Sequence, residues 1–540
     1  MQDAIVIGAG FAGLYMLHKL REQGYSARVF EAGTDVGGTW YWNRYPGARC
    51  DVESLDYQFA FSDELQRGWS WTERYATQAE ILDYARYVAD RLDLRRDISF
   101  STRVERAAYD EVARCWHITT DAGEELNARF CIAAVGCLAS SPRVPEFPGI
   151  ETFQGPRYHT GNWPHEPVSF AGQRVGLIGT GSSGIQCIPE IAREAAHLTV
   201  FQRTANFSVP AHNMPLDSDA VEAYKSRFVA DRRAAGHTDF GNVSWSSEPS
   251  ALAVSKAERD AEYERVWQIG GAQFMVAFED MLTDEQANAT AADFLRNKIR
   301  SIVKDPEVAE LLCPNDHPVG TKRLCVDTDY YATFNRSNVT LVDVRKAPIE
   351  AITPTGLRTT EADYEFDALV FATGFDAITG PLTRIDIRGR NGAALADQWS
   401  GGPKTLLGIA VAGFPNFFMI TGPGSPSVLS NMTLSIEQHV DWISDCLAWL
   451  REHDYESVEA TEAAQEEWVA HVNEVADTTL FPQANSWYMG SNVPGKARVF
   501  MPYVGGVGTY REKCDEVVAA GYRGFVTEPA AGPPAAEHHA

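Results

Sequence analysis

Residues 4–8, AIVIG, form a short run rich in β-branched residues and predict a buried strand. Glycines follow at Gly8, Gly10 and Gly13, and then LYMLHKLREQG, which has the spacing of a helix with one apolar face. SARVFEA predicts the next strand and ends at Glu31. The succession recurs in QRVGLIGTGSSGIQCIPEIAREAAHLTVFQRT. There a strand leads into Gly179, Gly181, Ser182 and Gly184, then a helix, then a strand ending at Arg203 and Thr204. Strand, G-x-G-x-x-G and helix in that order predict a loop that cradles a dinucleotide pyrophosphate on free helix N–H groups.

Other patterns divide the chain further. TQAEILDYARYVADRLDL predicts an amphipathic helix opened by a capping box from Thr77 to Glu80. ARCWHITT alternates as a strand of a small antiparallel sheet. FCIAAVGCLASSPRVPEFPGI reads as a buried strand with a proline-rich exit, Pro142–Pro148, that marks a domain boundary. Residues 213–320 are charged, helical in pattern and without a dinucleotide signature. YEFDALVFATGFD and GFPNFFMITGPGSPS predict two more buried strands, and residues 431–453 a long helix. The expected fold class is α/β, with two Rossmann-like dinucleotide-binding domains and an inserted helical subdomain. The first domain takes 1–140 and 375–527, the second 141–212 and 321–374, and the insertion 213–320. Residues 528–540, small and proline-bearing, read as a flexible tail.

The charge closing each second strand separates the two loops. A carboxylate at Glu31 accepts hydrogen bonds from ribose hydroxyls and repels a 2′-phosphate, whereas the guanidinium of Arg203 grips one. The first loop therefore suits FAD and the second NADPH. The net charge of −26 argues against nucleic acid and anionic membranes as partners, so an anionic ligand needs such a locally basic pocket. Nine cysteines, an odd number with no C-x-x-C, indicate neither a disulfide framework nor a zinc site. Cys131 and Cys187, in apolar runs, read as small buried hydrophobes. The N-terminus lacks a basic region before its apolar run, and no stretch reaches the ~18 apolar residues of a membrane span. A cytoplasmic protein, taken as a monomer, is expected.

Two further stretches carry candidate chemistry. AGTDVGGTWYWNRYPGARCDVES, after Glu31, is a long turn-rich loop with clustered aromatics. It places Gly38, Thr39, Trp40 and Asp51 near the first nucleotide loop. FQGPRYHTGNWP spaces Phe153, Gly155, His159, Trp163 and Pro164 just before the second. His159 has no second ligand type at metal spacing. It stands where the chain passes from one nucleotide unit to the other, which favours a hinge and leaves a proton carrier as the alternative.

With both loops flanking F-x-G-x-x-x-H-x-x-x-W-P, the chain resembles the type I Baeyer–Villiger monooxygenases, closest to the phenylacetone, steroid and cyclic-ketone branch. These flavin enzymes insert oxygen beside a ketone carbonyl, giving an ester or lactone. The resemblance implies FAD, NADPH and O₂, and a C4a-peroxide of the flavin as the oxidant. Arg323, in GTKR, matches the catalytic arginine and Asp51 its acidic partner, both beside the cofactors. Lys322 matches the lysine that joins Arg203 and Thr204 on NADPH. NSWYMGSNVPGK resembles a loop that folds over NADP with Trp487 at its active-site face. GSPSVLSNM resembles the substrate-pocket bulge, where Ser427, Val428, Leu429 and Met432 shape ketone choice. The alternative is a flavin-dependent S- or N-oxygenating monooxygenase. A disulfide reductase lacks its cysteine pair, because Cys50 stands alone; a redox-responsive flavoprotein acting through a binding partner is the third reading.

Overall fold

The structure, a computed structural model, describes residues 1–138, 142 and 145–529. Two parallel-stranded sheets organise it. In the first, strands Ala27–Phe30 and Glu125–Ala133 flank Gln2–Ile7 in parallel, with Ile98–Ser99 beyond the former and Phe417–Met419 beside the latter. The lower half of Glu125–Ala133 also pairs antiparallel with Cys115–Thr120, which pairs with Val104–Asp110. The period-2 alternation of the first strand sends Ala4 and Val6 to one face, against Leu14 and Leu17. Ile5 and Ile7 go to the other, against Trp116 and Phe417.

The second sheet runs Val339–Asp343, His197–Gln202, Arg174–Ile178, Ala368–Phe371 and Arg157–His159, all parallel. Val175, Leu177 and Val200 face the helix Ser182–Glu194, while Ile178, Phe201 and Leu369 fill the opposite face. Each such buried side chain contributes roughly 1.5–3 kcal/mol. Cys131 and Cys187 lie fully buried in these cores.

Between Ser208–Pro210 and Cys325–Asp327, which pair in parallel, the chain makes four helices: Ser218–Ala235, Lys256–Ile269, Glu285–Ile302 and Pro306–Leu312. The second and third of these build a core around Tyr263, Phe274 and Leu295, whereas Ser218–Ala235 is tied by Arg232 to Glu437 at 3.1 Å and Pro306–Leu312 packs into the core of the second sheet. The insertion thus leaves and returns through one two-stranded gate.

Two local expectations need adjustment. Thr77 does cap its helix, accepting the Glu80 N–H at 3.3 Å. Glu80 does not complete the box, however; its carboxylate turns outward to the Thr72 N–H at 2.7 Å. A complete capping box stands instead at Ser255 and Glu258. Strand Phe525–Pro529 pairs antiparallel with Tyr455–Ala460, so ordered chain extends two residues into the segment expected as a tail. The rest of that segment, like residues 139–141 and 143–144 of the proline-rich exit, lies outside the described residues.

The turn glycines set a packing limit. Gly8 has φ +104° and Gly179 φ +113°, which L side chains rarely adopt. A Cβ on Gly13 would stand 1.9 Å from the Gly8 carbonyl oxygen. Gly13→Ala must therefore part helix from strand, at a cost of about 3 kcal/mol or more. We expect a lowered thermal midpoint and loss of flavin on gel filtration. Gly401→Ala, where a Cβ meets nothing within 4 Å, is the control and should show neither effect.

Candidate active site

Both nucleotide loops open onto one cavity of about 1350 Å³ between the carboxyl ends of the two sheets. Gly8, Gly10, Glu31, Gly38, Thr39 and Trp40 line its first wall, and Gly179, Gly181, Ser182, Arg203, Thr204 and Lys322 its second. Gly13 and Gly184 do not reach it; they stand behind the loops, where each lets its helix approach its strand. The two helices, Phe11–Glu22 and Ser182–Glu194, begin after Gly10 and Gly181 with no side-chain cap, so their first N–H groups are left for a ligand.

Glu31 is buried, and its two carboxylate oxygens accept the N–H groups of Ala9 (2.8 Å) and Gly33 (2.7 Å). Burial pushes the carboxyl above its ordinary range, and the two amides oppose that. Asn43 Oδ1, Asn206 Oδ1 and Ser486 Oγ are buried without a partner among the described residues, on side chains that line the cavity. Polar atoms so placed want a polar ligand. The uncapped helix ends, the Glu31 carboxylate and these orphaned atoms together fit two dinucleotides.

On the second wall, Arg203 is exposed and makes no ion pair among the described residues. Lys322 lies 4.0 Å from Asp316, which also pairs with Arg345 at 3.2 Å. Arg345 donates in addition to the Arg203 carbonyl. Burial lowers the Lys322 ammonium below its ordinary range; Asp316 opposes this, and Arg203 and Arg345 add to it. The Asp316 carboxyl falls to about 2, held first by its hydrogen bond with His317. Two cations thus flank one carboxylate with the Arg203 guanidinium near them, the setting for a dianionic phosphate. Arg345 and Asp316 escaped the sequence reading because neither lies in a motif; three separate segments bring them together.

Where the walls meet, Arg323 donates from Nε to Asp51 Oδ2 (2.6 Å) and from Nη2 to Asp51 Oδ1 (2.7 Å). Its Nη1 donates to the Val428 carbonyl at 2.6 Å. Burial would raise the Asp51 carboxyl, but Arg323 more than offsets that and holds it low. Burial would lower the guanidinium, and Asp51 and Tyr488 drive it well above its ordinary value. Arg323 is a permanent cation held by Asp51 in a fixed fork. Trp487 lines the cavity beside Tyr488, ring centroids 4.3 Å apart.

Of the four bulge residues, Val428 and Met432 line the cavity, while Ser427 and Leu429 do not. Ser427 is fully buried behind it at φ +42°. His159 also lies outside the lining. Its Nδ1 accepts the Gly161 N–H at 3.0 Å, which places the proton of the neutral ring on Nε2, 3.1 Å from Thr373 Oγ1. Thr373 does line the cavity.

The flavin-binding monooxygenase-like family model matches residues 2–211. A Baeyer–Villiger monooxygenase of Pseudooceanicola batsensis is 45% identical over 97% of this chain and 96% of its own. The chain belongs to the Baeyer–Villiger monooxygenases. Within this family, an oxidised steroid monooxygenase bound to NADP superimposes with a TM-score of 0.94 at 51% identity, covering 98% of this chain and 100% of its own. A phenazine N-monooxygenase of Lysobacter antibioticus is 44% identical over 97% of this chain and 96% of its own. The chain is thus an oxidoreductase of the flavin monooxygenase class, built as two dinucleotide-binding sheets with a helical insertion. Among the described residues no helix is long and apolar enough to cross a membrane.

Proposed function

We propose that this enzyme uses FAD and NADPH to convert aromatic, cyclic or steroid-like ketones to esters or lactones. Ketone, O₂, NADPH and a proton become ester, NADP⁺ and water. When bound, FAD reduced by NADPH supplies the activation of O₂. The observation that carries the reading is the Arg323–Asp51 pair at the meeting of the two nucleotide walls.

Arg323 keeps a positive charge where negative charge develops on oxygen, and it has no proton to surrender there, since its pKa exceeds ~12. A lysine in its place loses charge on burial. Asp51 orients the fork, and the Val428 carbonyl holds the third nitrogen, tying the cation to the bulge that borders the substrate. Arg203 and Lys322 take the 2′-phosphate, Glu31 the flavin-side ribose, and Trp487 closes the cavity against water. Two observations support a monomeric cytoplasmic enzyme: the sequence is acidic, and all nine cysteines are buried and unpaired.

His159 serves as the hinge. The chain leaves the first sheet for the second before His159 and returns after Thr373, so their hydrogen bond fastens one crossing to the other. His159→Ala should cut the fraction of NADPH oxidation that ends in ester by about threefold to tenfold while FAD stays bound. Comparing NADPH consumption with product checks this, and an apo-protein would end the hinge reading.

Mass spectrometry of products from a mixed panel of ketones, sulfides and phenazines, with NADPH under ¹⁸O₂, tests the activity. Ketone-derived esters carrying one ¹⁸O are expected as the main products. Predominant N- or S-oxides would install the alternative that the phenazine relative raises.

A further inference from the structure

Behind the flavin-side wall lies a buried polar chain that none of the steps above uses. Two residues beyond strand Phe417–Met419 stands Thr421, a cavity-lining residue at φ +56°. Its N–H donates at 3.0 Å to Nδ1 of His439, on the long helix Met432–Glu452. Since Nδ1 accepts, the imidazole proton is on Nε2, which lies 2.7 Å from the Tyr510 hydroxyl. That hydroxyl donates onward to the carbonyl of Leu407. Leu407 is itself left-handed, at φ +59°. One imidazole–phenol pair therefore satisfies two backbone groups, each on a non-glycine residue in an unfavourable conformation. His439, Tyr510 and Leu407 are each at most 1% exposed, so none has water as a substitute. Burial lowers the imidazole to about 4, in keeping with a ring that stays neutral.

We propose that His439 and Tyr510 are positioning residues for the flavin, fixing the Thr421 turn as a wall of its cavity through one directional chain of hydrogen bonds. The inference rests on FAD occupying the wall formed by Gly8, Glu31 and Thr421. Neither side chain lines the cavity; their effect passes through the Thr421 peptide.

The test follows flavin release from diluted holoenzyme by its fluorescence, together with the position of its visible absorption bands. His439→Leu should release FAD at least tenfold faster and shift the bands. His439→Asn keeps an acceptor near the Nδ1 position and should recover most of both. Thr421→Gly added to His439→Leu should recover part, since glycine takes φ +56° without strain. Leu447→Ala, a core truncation on the same helix, is the stability control; it should lower the thermal midpoint without moving the bands. If His439→Leu does not fold, Tyr510→Phe, which strands the Nε2–H, carries the comparison and should shift the bands likewise. Release and bands like those of Leu447→Ala would reduce the pair to packing and overturn the proposal. A wild-type protein that holds no flavin would overturn the cofactor assignment as well.

Discussion

Replacing Arg323 by alanine lowers ester formation by about a thousandfold, the scale seen when a preorganised donor to developing negative charge is removed. NADPH oxidation continues, because neither nucleotide loop depends on this side chain, and the reducing equivalents emerge as hydrogen peroxide. Assays of ester, NADPH and peroxide on one sample check the three together. The substitution also strands Asp51, whose carboxyl is held low chiefly by the guanidinium. Freed from it, the group rises through desolvation and the protein loses stability. The double variant Arg323→Ala/Asp51→Asn separates the effects, since it restores stability and not activity. Arg323→Lys should fail nearly as badly: one ammonium cannot reach both Asp51 oxygens and the Val428 carbonyl in the planar fork observed. Ester formation within tenfold of wild type in Arg323→Ala would remove the arginine from the chemistry.

The parts legible in the sequence were those with short-range signals. The strand preceding each glycine loop, the loop and the following helix are contiguous, so period and punctuation suffice. The acidic and basic ends of the second strands are local too. What escaped was assembled from distant segments. Asp316 and Arg345 join Arg203 from two distant segments, and His439, Tyr510 and Leu407 converge from three others. At the bulge the limit was finer. In the tight helical turn Ser427–Leu429 neighbouring side chains point apart, so Val428 reaches the cavity and its two neighbours do not. Thr77 and Glu80 have the spacing of a capping box, yet the Thr72 N–H captures the glutamate. Spacing states what is possible; competing partners decide it.

Arg203→Ala raises KM for NADPH by about thirtyfold and leaves KM for NADH within twofold. A charge-assisted hydrogen bond contributes about 1.5–3 kcal/mol, which is roughly tenfold to a hundredfold in affinity. Arg203 is the member of the basic cluster that no carboxylate engages among the described residues, so its loss strands none of them and stability should hold. The pH dependence carries a second signature. In the proposed role Lys322 binds phosphate when protonated, and its pKa lies below that of an ordinary lysine, first through burial and further through Arg203 and Arg345. As pH rises through that lowered value the ammonium is lost, so KM for NADPH climbs at a lower pH than an ordinary lysine would give. Removing Arg203 removes one of the repelling cations and moves the Lys322 pKa back up. The climb in Arg203→Ala should therefore start from a higher KM but begin at a higher pH, while KM for NADH stays flat throughout. Steady-state KM values for both coenzymes from pH 7 upward read both signatures. An equal loss toward NADH would mean that Arg203 holds the loop rather than the phosphate.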